Sequence, residues 1–361
     1  MKPSHFPTQP KSQLERFDIL DALRAVLAFW VAIGHLGVFP LMGVHPAPGA
    51  FRLIERFLNS TVWGMPAVMA FFVISGFCIH YPLHNGRDFN PLQFYLRRYT
   101  RILIPAAVII TVLAMRGHIA WSGRDSVFFS GTLWSLLCEE IYYALYPGLR
   151  ALRQRIGWTP ILATTAVISI TLATLATPAR DWFSIGALRT AAVLYPVWIL
   201  GCIMAEQATT TRRTVTTPRI WTWRAGIWLA MWVTEAMDFH TPISRVHTML
   251  FMGALSYLWI RTEIDYGRTH ATTPWLMKAG AWSYSLYLVH PLVFDALVTT
   301  HTLARNSTTR TEWVFKLCVG LVLSYLFFLL VERPSHLLAR RIGAKSQAPE
   351  RALMTRSRSN M

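Results

Sequence analysis

Apolar residues fall into blocks of roughly twenty along this chain, and the short segments between the blocks hold most of the arginine and lysine. A window of about 19 residues picks out ten such blocks, at 17–39, 61–83, 102–120, 131–148, 158–177, 185–206, 220–237, 242–260, 277–300 and 313–332. Blocks of this length predict an all-α, polytopic membrane protein of about ten transmembrane helices. The third and fourth are the least uniform, because Arg116 and His118 shorten one while Glu139 and Glu140 interrupt the other.

Composition agrees with that pattern. Of 361 residues, 53% are apolar and 15% charged, and the mean hydropathy is +0.35, the balance of a membrane protein rather than a soluble enzyme. The net charge of +17 raises the question of nucleic acid, yet no zinc-finger, RNP-type or helix-turn-helix pattern is present. The charge is topological instead. With the N-terminus inside, 23 basic residues fall on inner segments and eight on outer ones, leaving Arg24, Arg189, Arg224 and Lys316 within blocks. Both termini are therefore expected in the cytoplasm.

Cys78, Cys138, Cys202 and Cys318 lie in different blocks without CxxC spacing, so neither a disulfide framework nor a metal site is expected. The first block is longer than a signal-peptide core and has no clear cleavage site, which reads as a retained helix. Residues 1–16 and 335–361 are read as tails around a core at 17–334, the second tail basic, disordered and able to touch anionic lipid. Asn59 and Asn306 head glycosylation sequons on the expected outer side. There is no internal repeat of fixed period.

The polar residues inside blocks carry the chemistry. In FDILDALRAVLAFWVAIGHLGVF, at 17–39, Asp21, Arg24 and His35 share one helical face, with Arg24 and His35 about 16 Å apart along the axis. Asp21 is one turn before Arg24 and can pair with it. A charged residue this deep costs about 2.5–3.5 kcal/mol at the bilayer centre and so faces a protein interior or a wet cavity. His80 ends the second block. In FYLRRYTRILIP, Arg97, Arg98 and Arg101 can line one face, suited either to phosphate oxygens or to anchoring at lipid headgroups. Glu139 and Glu140 point about 100° apart on a helix, so at least one should meet an arginine or a cavity, as a structural ion pair or a catalytic group. The ninth block adds Ser283, Tyr284, Ser285, Tyr287, His290 and Asp295.

Taken together, LDALRAVLAFWVAIGH, FFVISGF, RRYTRILIP, WSLLCEEIYYALYP, YSLYLVHP and ERP at 332–334 resemble, in this order, the acyltransferase-3 family of integral membrane O-acyltransferases. That family's arginine, ten residues, histidine pattern falls on Arg24 and His35, and its RxxR pattern on Arg98 and Arg101. Cys138 and Val289 depart from the aliphatic and aromatic residues usual at those places.

The resemblance implies transfer of an acyl group, acetyl being the expected one, from cytoplasmic acyl-CoA to a hydroxyl of a cell-surface or secreted carbohydrate. The setting it implies is a bacterial cytoplasmic (inner) membrane. Acyl-CoA and the carbohydrate acceptor are then the partners besides membrane lipid, with no nucleic acid and no metal cofactor. The chain ends too early to carry a fused SGNH-type domain, so the reaction is expected to finish within the membrane core. Arg98, Arg101 and Arg24 would receive the donor's phosphates. His35 would act as general base, its unperturbed pKa of about 6.5 suiting removal of a hydroxyl proton, with a covalent acyl-histidine as the second option. His290 and Glu139 are the further catalytic candidates. A transporter or flippase for a glycan or lipid-linked substrate is the competing reading, against which stands the lack of a symmetric pair of Gly/Pro-broken helices.

Overall fold

The computed structural model describes residues 15–43, 46–62, 64–86, 89–117, 132–176, 185–299 and 309–345. Among these the chain is all-α, with no β-strand. In order come α1 (Asp18–Leu36), α2 (Phe51–Ser60), α3 (Met65–His84), α4 (Pro91–Met115), α5 (Leu133–Ile156), α6 (Trp158–Leu175) and α7 (Ala187–Thr210). They are followed by α8 (Thr217–His240), α9 (Arg245–Gly267), α10 (Pro274–Gly280), α11 (Ser283–Thr299), α12 (Arg310–Phe327) and α13 (Arg333–Lys345), with a π-helical turn at Phe328–Glu332 joining the last two.

Each apolar block contains the greater part of one helix, in order α1, α3 to α9, α11 and α12. Among the described residues, six stretches are long and apolar enough to cross a membrane, namely Asp18–Leu36, Phe51–His84, Pro91–Met115, Trp158–Leu175, Ala187–Thr210 and Arg310–Ile342. The other four helices fall short of that measure. Charged residues of both signs interrupt three of them: Glu139, Glu140 and Arg150 in α5, Arg224 and Glu235 in α8, Arg245, Arg261 and Glu263 in α9. The fourth, α11, is only 17 residues long.

Several boundaries differ from the sequence pattern. The third block was expected from 102, but α4 begins at Pro91, where the Asn90 side chain accepts a hydrogen bond from Gln93 N (3.0 Å) and proline occupies the first turn. Arg97, Arg98 and Arg101 therefore sit within a helix rather than at its start. The ninth block divides into α10 and α11. The tenth continues through the π turn into α13, which carries helical chain past Pro334 to Lys345, while 346–361 lie outside the described residues.

Hydropathy gave no sign of α2. Its Phe51, Leu53, Ile54, Phe57 and Leu58 point outward, while Glu55 is buried and accepts from Ala47 N (3.1 Å), the profile of a helix lying in a membrane interface. Asn59 of the first sequon is engaged in the fold, accepting from Phe39 N (3.1 Å) and donating to Glu55 O (2.6 Å). Asn306 and His118 lie outside the described residues.

At the centre α3 packs along α7. A Cβ on Gly76 would run into the Trp198 carbonyl, and one on Gly201 into the Val73 carbonyl, so glycine at both places lets the two backbones touch. Phe72, Phe77, Tyr142, Tyr146 and Trp198 fill the space around this contact. On the other side α1 packs on α3, α10 and α11, with Gly280 directly against the Asp21 backbone. The four cysteines are free, as expected from their spacing.

Candidate active site

At one end of the bundle, the starts of α1 and α11, the interior of α4 and the first half of α5 meet α3, the π turn and α13 around a cavity of about 530 Å³. Five arginines line it, Arg24, Arg98, Arg101, Arg333 and Arg340, against three carboxylates, Asp21, Glu139 and Glu332. The basic excess suits an anionic ligand with several phosphates. Three of the arginines and Glu139 are the residues that sequence spacing singled out. Arg97 is not among the lining residues, and its guanidinium bonds Gln93 through both the backbone carbonyl and Oε1.

Arg24, Arg98, Arg101 and Glu332 each have a partner that holds them in place. Arg24 pairs with Asp21 at 3.5 Å, the pairing expected from the helical turn between them, and its Nη2 donates to Cys78 Sγ at 3.3 Å. The Arg98 guanidinium stands 5.5 Å over the Tyr143 ring. Arg101 Nε donates to His336 Nε2 at 2.9 Å. Glu332 is buried, and its Oε2 accepts from both the backbone N (3.0 Å) and Oγ (2.5 Å) of Ser285. Glu139 lines the cavity together with Ser75 and Tyr143, whose hydroxyls are joined at 2.8 Å. Glu140 points elsewhere, as a 100° offset requires, and is absent from the lining.

His35 and His290 stand apart from this cavity and meet each other. His35 Nδ1 lies 2.9 Å from His290 Nε2, and His290 Nδ1 lies 2.7 Å from the Leu286 carbonyl. A carbonyl only accepts, so His290 carries its proton on Nδ1 and presents a lone pair at Nε2. His35 Nδ1–H donates into that lone pair. The remaining nitrogen, His35 Nε2, then holds a free lone pair and can act as a base. His290 is fully buried while His35 is exposed.

Helical phase had put Arg24 and His35 on one face of α1, and the structure divides that face between two environments. Between them Ala28 and Ala32 pack on Leu286, with Phe71 alongside. Phe71 and Tyr287 also line the cavity and form its wall toward the histidines: their rings meet at 5.8 Å, and the Tyr287 ring is 6.3 Å from that of His290. Tyr287 Oη is tied to Ser135 Oγ at 2.6 Å.

Sequence reasoning missed Arg333, His336 and Arg340 as cavity residues, counting the arginines as topological charge and placing Arg333 besides only in the ERP piece of the resemblance. Their i, i+3 and i+7 spacing puts them on one stripe of α13, a signal present in the sequence but masked by the basic tail. Asp295 also lies away from the cavity, paired with Arg116 at 3.4 Å.

Comparison with known proteins identifies the family. The acyltransferase-3 model, described as an acyltransferase domain, matches residues 17–329. The chain is similar to the acyltransferase MdmB of Streptomyces mycarofaciens, with 25% identity over 349 positions covering 82% of this chain and 87% of that relative. No solved structure matches. An acyl-group-transferring enzyme built from apolar helices, matched by the family model over most of its length, this chain belongs to the acyltransferase-3 family and is an integral membrane acyltransferase.

Proposed function

We propose that this enzyme moves an acyl group, acetyl in the first instance, from cytoplasmic acyl-CoA to a hydroxyl of a cell-surface or secreted carbohydrate, with His35 as general base. In this reading ten helices, α1, α3 to α9, α11 and α12, cross a bacterial inner membrane with both termini in the cytoplasm. The arginine-lined cavity then opens inward and His35 lies toward the outer face.

The observation that carries the reading is the hydrogen-bond chain from the Leu286 carbonyl through His290 to His35, which fixes the His35 lone pair on Nε2. The acceptor hydroxyl gives its proton to that nitrogen as its oxygen attacks the thioester carbonyl. The carbon–sulfur bond breaks, the new oxygen ester forms, and the departing thiolate takes a proton, so alcohol and thioester become ester and thiol. His290 accepts from Nδ1 throughout and stabilises the imidazolium formed in between. Arg98, Arg101 and Arg24 hold the donor's phosphates, and Glu139 orients Arg24 and Arg98 across the cavity.

The test is transfer of label from [¹⁴C]acetyl-CoA by purified protein in nanodiscs to a glycan extract of the source cells. Alkali-labile label in the glycan is expected. Label that stays on CoA or appears only as free acetate, with donor binding intact, would remove the carbohydrate acceptor from the proposal.

A further inference from the structure

A second polar cluster lies at the other side of α3 from the arginine cavity, and the acyl-transfer reading does not use it. His80 and His84 are one turn apart on α3, and Glu206 comes from the last turns of α7. Glu206 Oε1 is 2.9 Å from His80 Nε2 and 3.7 Å from His84 Nδ1, and the three ligand atoms all lie within 4.8 Å of one another. We propose that these three residues form a divalent-cation site whose fitting ion is zinc.

Ligand type and geometry both point that way. Two histidines at i and i+4 on one helical face, joined by a carboxylate from another helix, are a zinc-type donor set of two imidazoles and one oxygen. Tetrahedral zinc with bonds of about 2.0–2.2 Å separates its ligand atoms by about 3.3 Å, and the observed 2.9 and 3.7 Å bracket that value. Imidazole nitrogen disfavours magnesium and calcium.

The surrounding groups act as supports for such ligands. His80 Nδ1 is 2.9 Å from Tyr146 Oη, and Arg153 Nη2 holds Glu206 Oε2 at 2.5 Å, leaving Oε1 as the oxygen aimed at the two rings. Metal ligands are commonly oriented in this way by a bond to their other polar atom. Without metal, His80 Nε2–H donates to Glu206 and Nδ1 accepts from Tyr146. With metal at Nε2, the proton moves to Nδ1 and Tyr146 accepts; a hydroxyl serves both tautomers, so no neighbour is left unpaired. His84 is 30% exposed and gives the ion a path and a fourth, solvent-filled position, while His80 is buried at 3%. The charge of Arg153 opposes the ion and sets the affinity below that of an otherwise identical site without it. Bound metal would tie α3 to α7, the pair whose backbones touch at Gly76 and Gly201.

The experiment uses full-length protein carrying no polyhistidine tag, stripped with EDTA and titrated with Zn²⁺ against a chromophoric chelator. One equivalent should bind, unaffected by millimolar Mg²⁺, and His84→Ala and Glu206→Gln should each weaken it at least about tenfold. Cobalt should give a visible tetrahedral spectrum that His84→Ala removes. If Glu206→Gln fails to fold because Arg153 loses its partner, His84→Ala decides, since His84 is part-exposed in the last turn of α3. No saturable equivalent in the wild type, or equal affinity in wild type and His84→Ala, overturns the site.

Discussion

His35 Nδ1 and His290 Nε2 are 2.9 Å apart, so that one hydrogen bond joins α1 to α11 across 255 residues of chain. The direction of that bond is set from the buried side, where the Leu286 carbonyl claims the other His290 nitrogen. The two histidines therefore have unequal roles, and substitutions should separate them.

His35→Ala and His35→Gln should express and bind an acyl-CoA analogue normally while transfer falls roughly 10²–10⁴-fold. His290→Gln keeps an acceptor oxygen for His35 Nδ1–H and should retain intermediate activity, whereas His290→Leu should lose more than about tenfold. Steady-state transfer rates with parallel donor titration check this. Equal loss in both His290 variants, or full activity in His35→Ala, would leave the base to be sought at Glu139.

Arg98 and Arg101 are expected to differ from lysine at the same places. Arg98→Lys loses the guanidinium 5.5 Å over the Tyr143 ring, and Arg101→Lys loses the bond from Nε to His336. Each charge-assisted bond lost to phosphate is worth about 1.5–3 kcal/mol, roughly tenfold or more in donor affinity. Isothermal titration with a non-hydrolysable acetyl-CoA analogue measures it, and unchanged affinity in both alanine variants would return these arginines to membrane anchoring.

Cys78 lines the cavity beside Arg24. In a variant with the other three cysteines replaced by alanine or serine, a maleimide should label Cys78, and CoA should slow that labelling at concentrations that saturate the enzyme. Labelling indifferent to CoA would place the donor outside the cavity.

Gly76→Ala should prevent stable assembly, because the added methyl meets backbone, the Trp198 carbonyl, which has no side-chain freedom to yield. Overpacking of this kind costs about 1–3 kcal/mol or more. Gly148→Ala is the matched control, since nothing lies near the added methyl there. Monodisperse yield by fluorescence-detected size exclusion should drop for the first and hold for the second.

Much of this arrangement was legible in the residues. Apolar block length found the long helices, and the Asp21–Arg24 turn and the Arg98–Arg101 spacing named side chains that do face one cavity. What could not be read was tertiary. The meeting of His35 with His290 depends on how α11 lies against α1, and no local spacing reports that. The expectation that His35 lies on the same surface as Arg24 held in phase but not in surroundings, because Phe71 and Leu286 come from distant helices. Likewise α2 escaped notice because Glu55, Arg52 and Arg56 cancel its apolar face in a hydropathy average.

The π turn at Phe328–Glu332 adds one residue to what would otherwise be an unbroken helix from α12 into α13. One residue is worth about 100° of rotation, so everything after it is turned by more than a quarter circle relative to a regular helix. That rotation brings Arg333, His336 and Arg340 to the cavity and leaves Glu332 against Ser285. Deleting a single residue from this turn would relax it to the ordinary helical repeat while changing composition hardly at all, and would swing three polar side chains toward lipid. The segment is thus sensitive to its length in a way that no individual position within it reveals, and insertions or deletions there should be tolerated less well than almost any exchange of side chain.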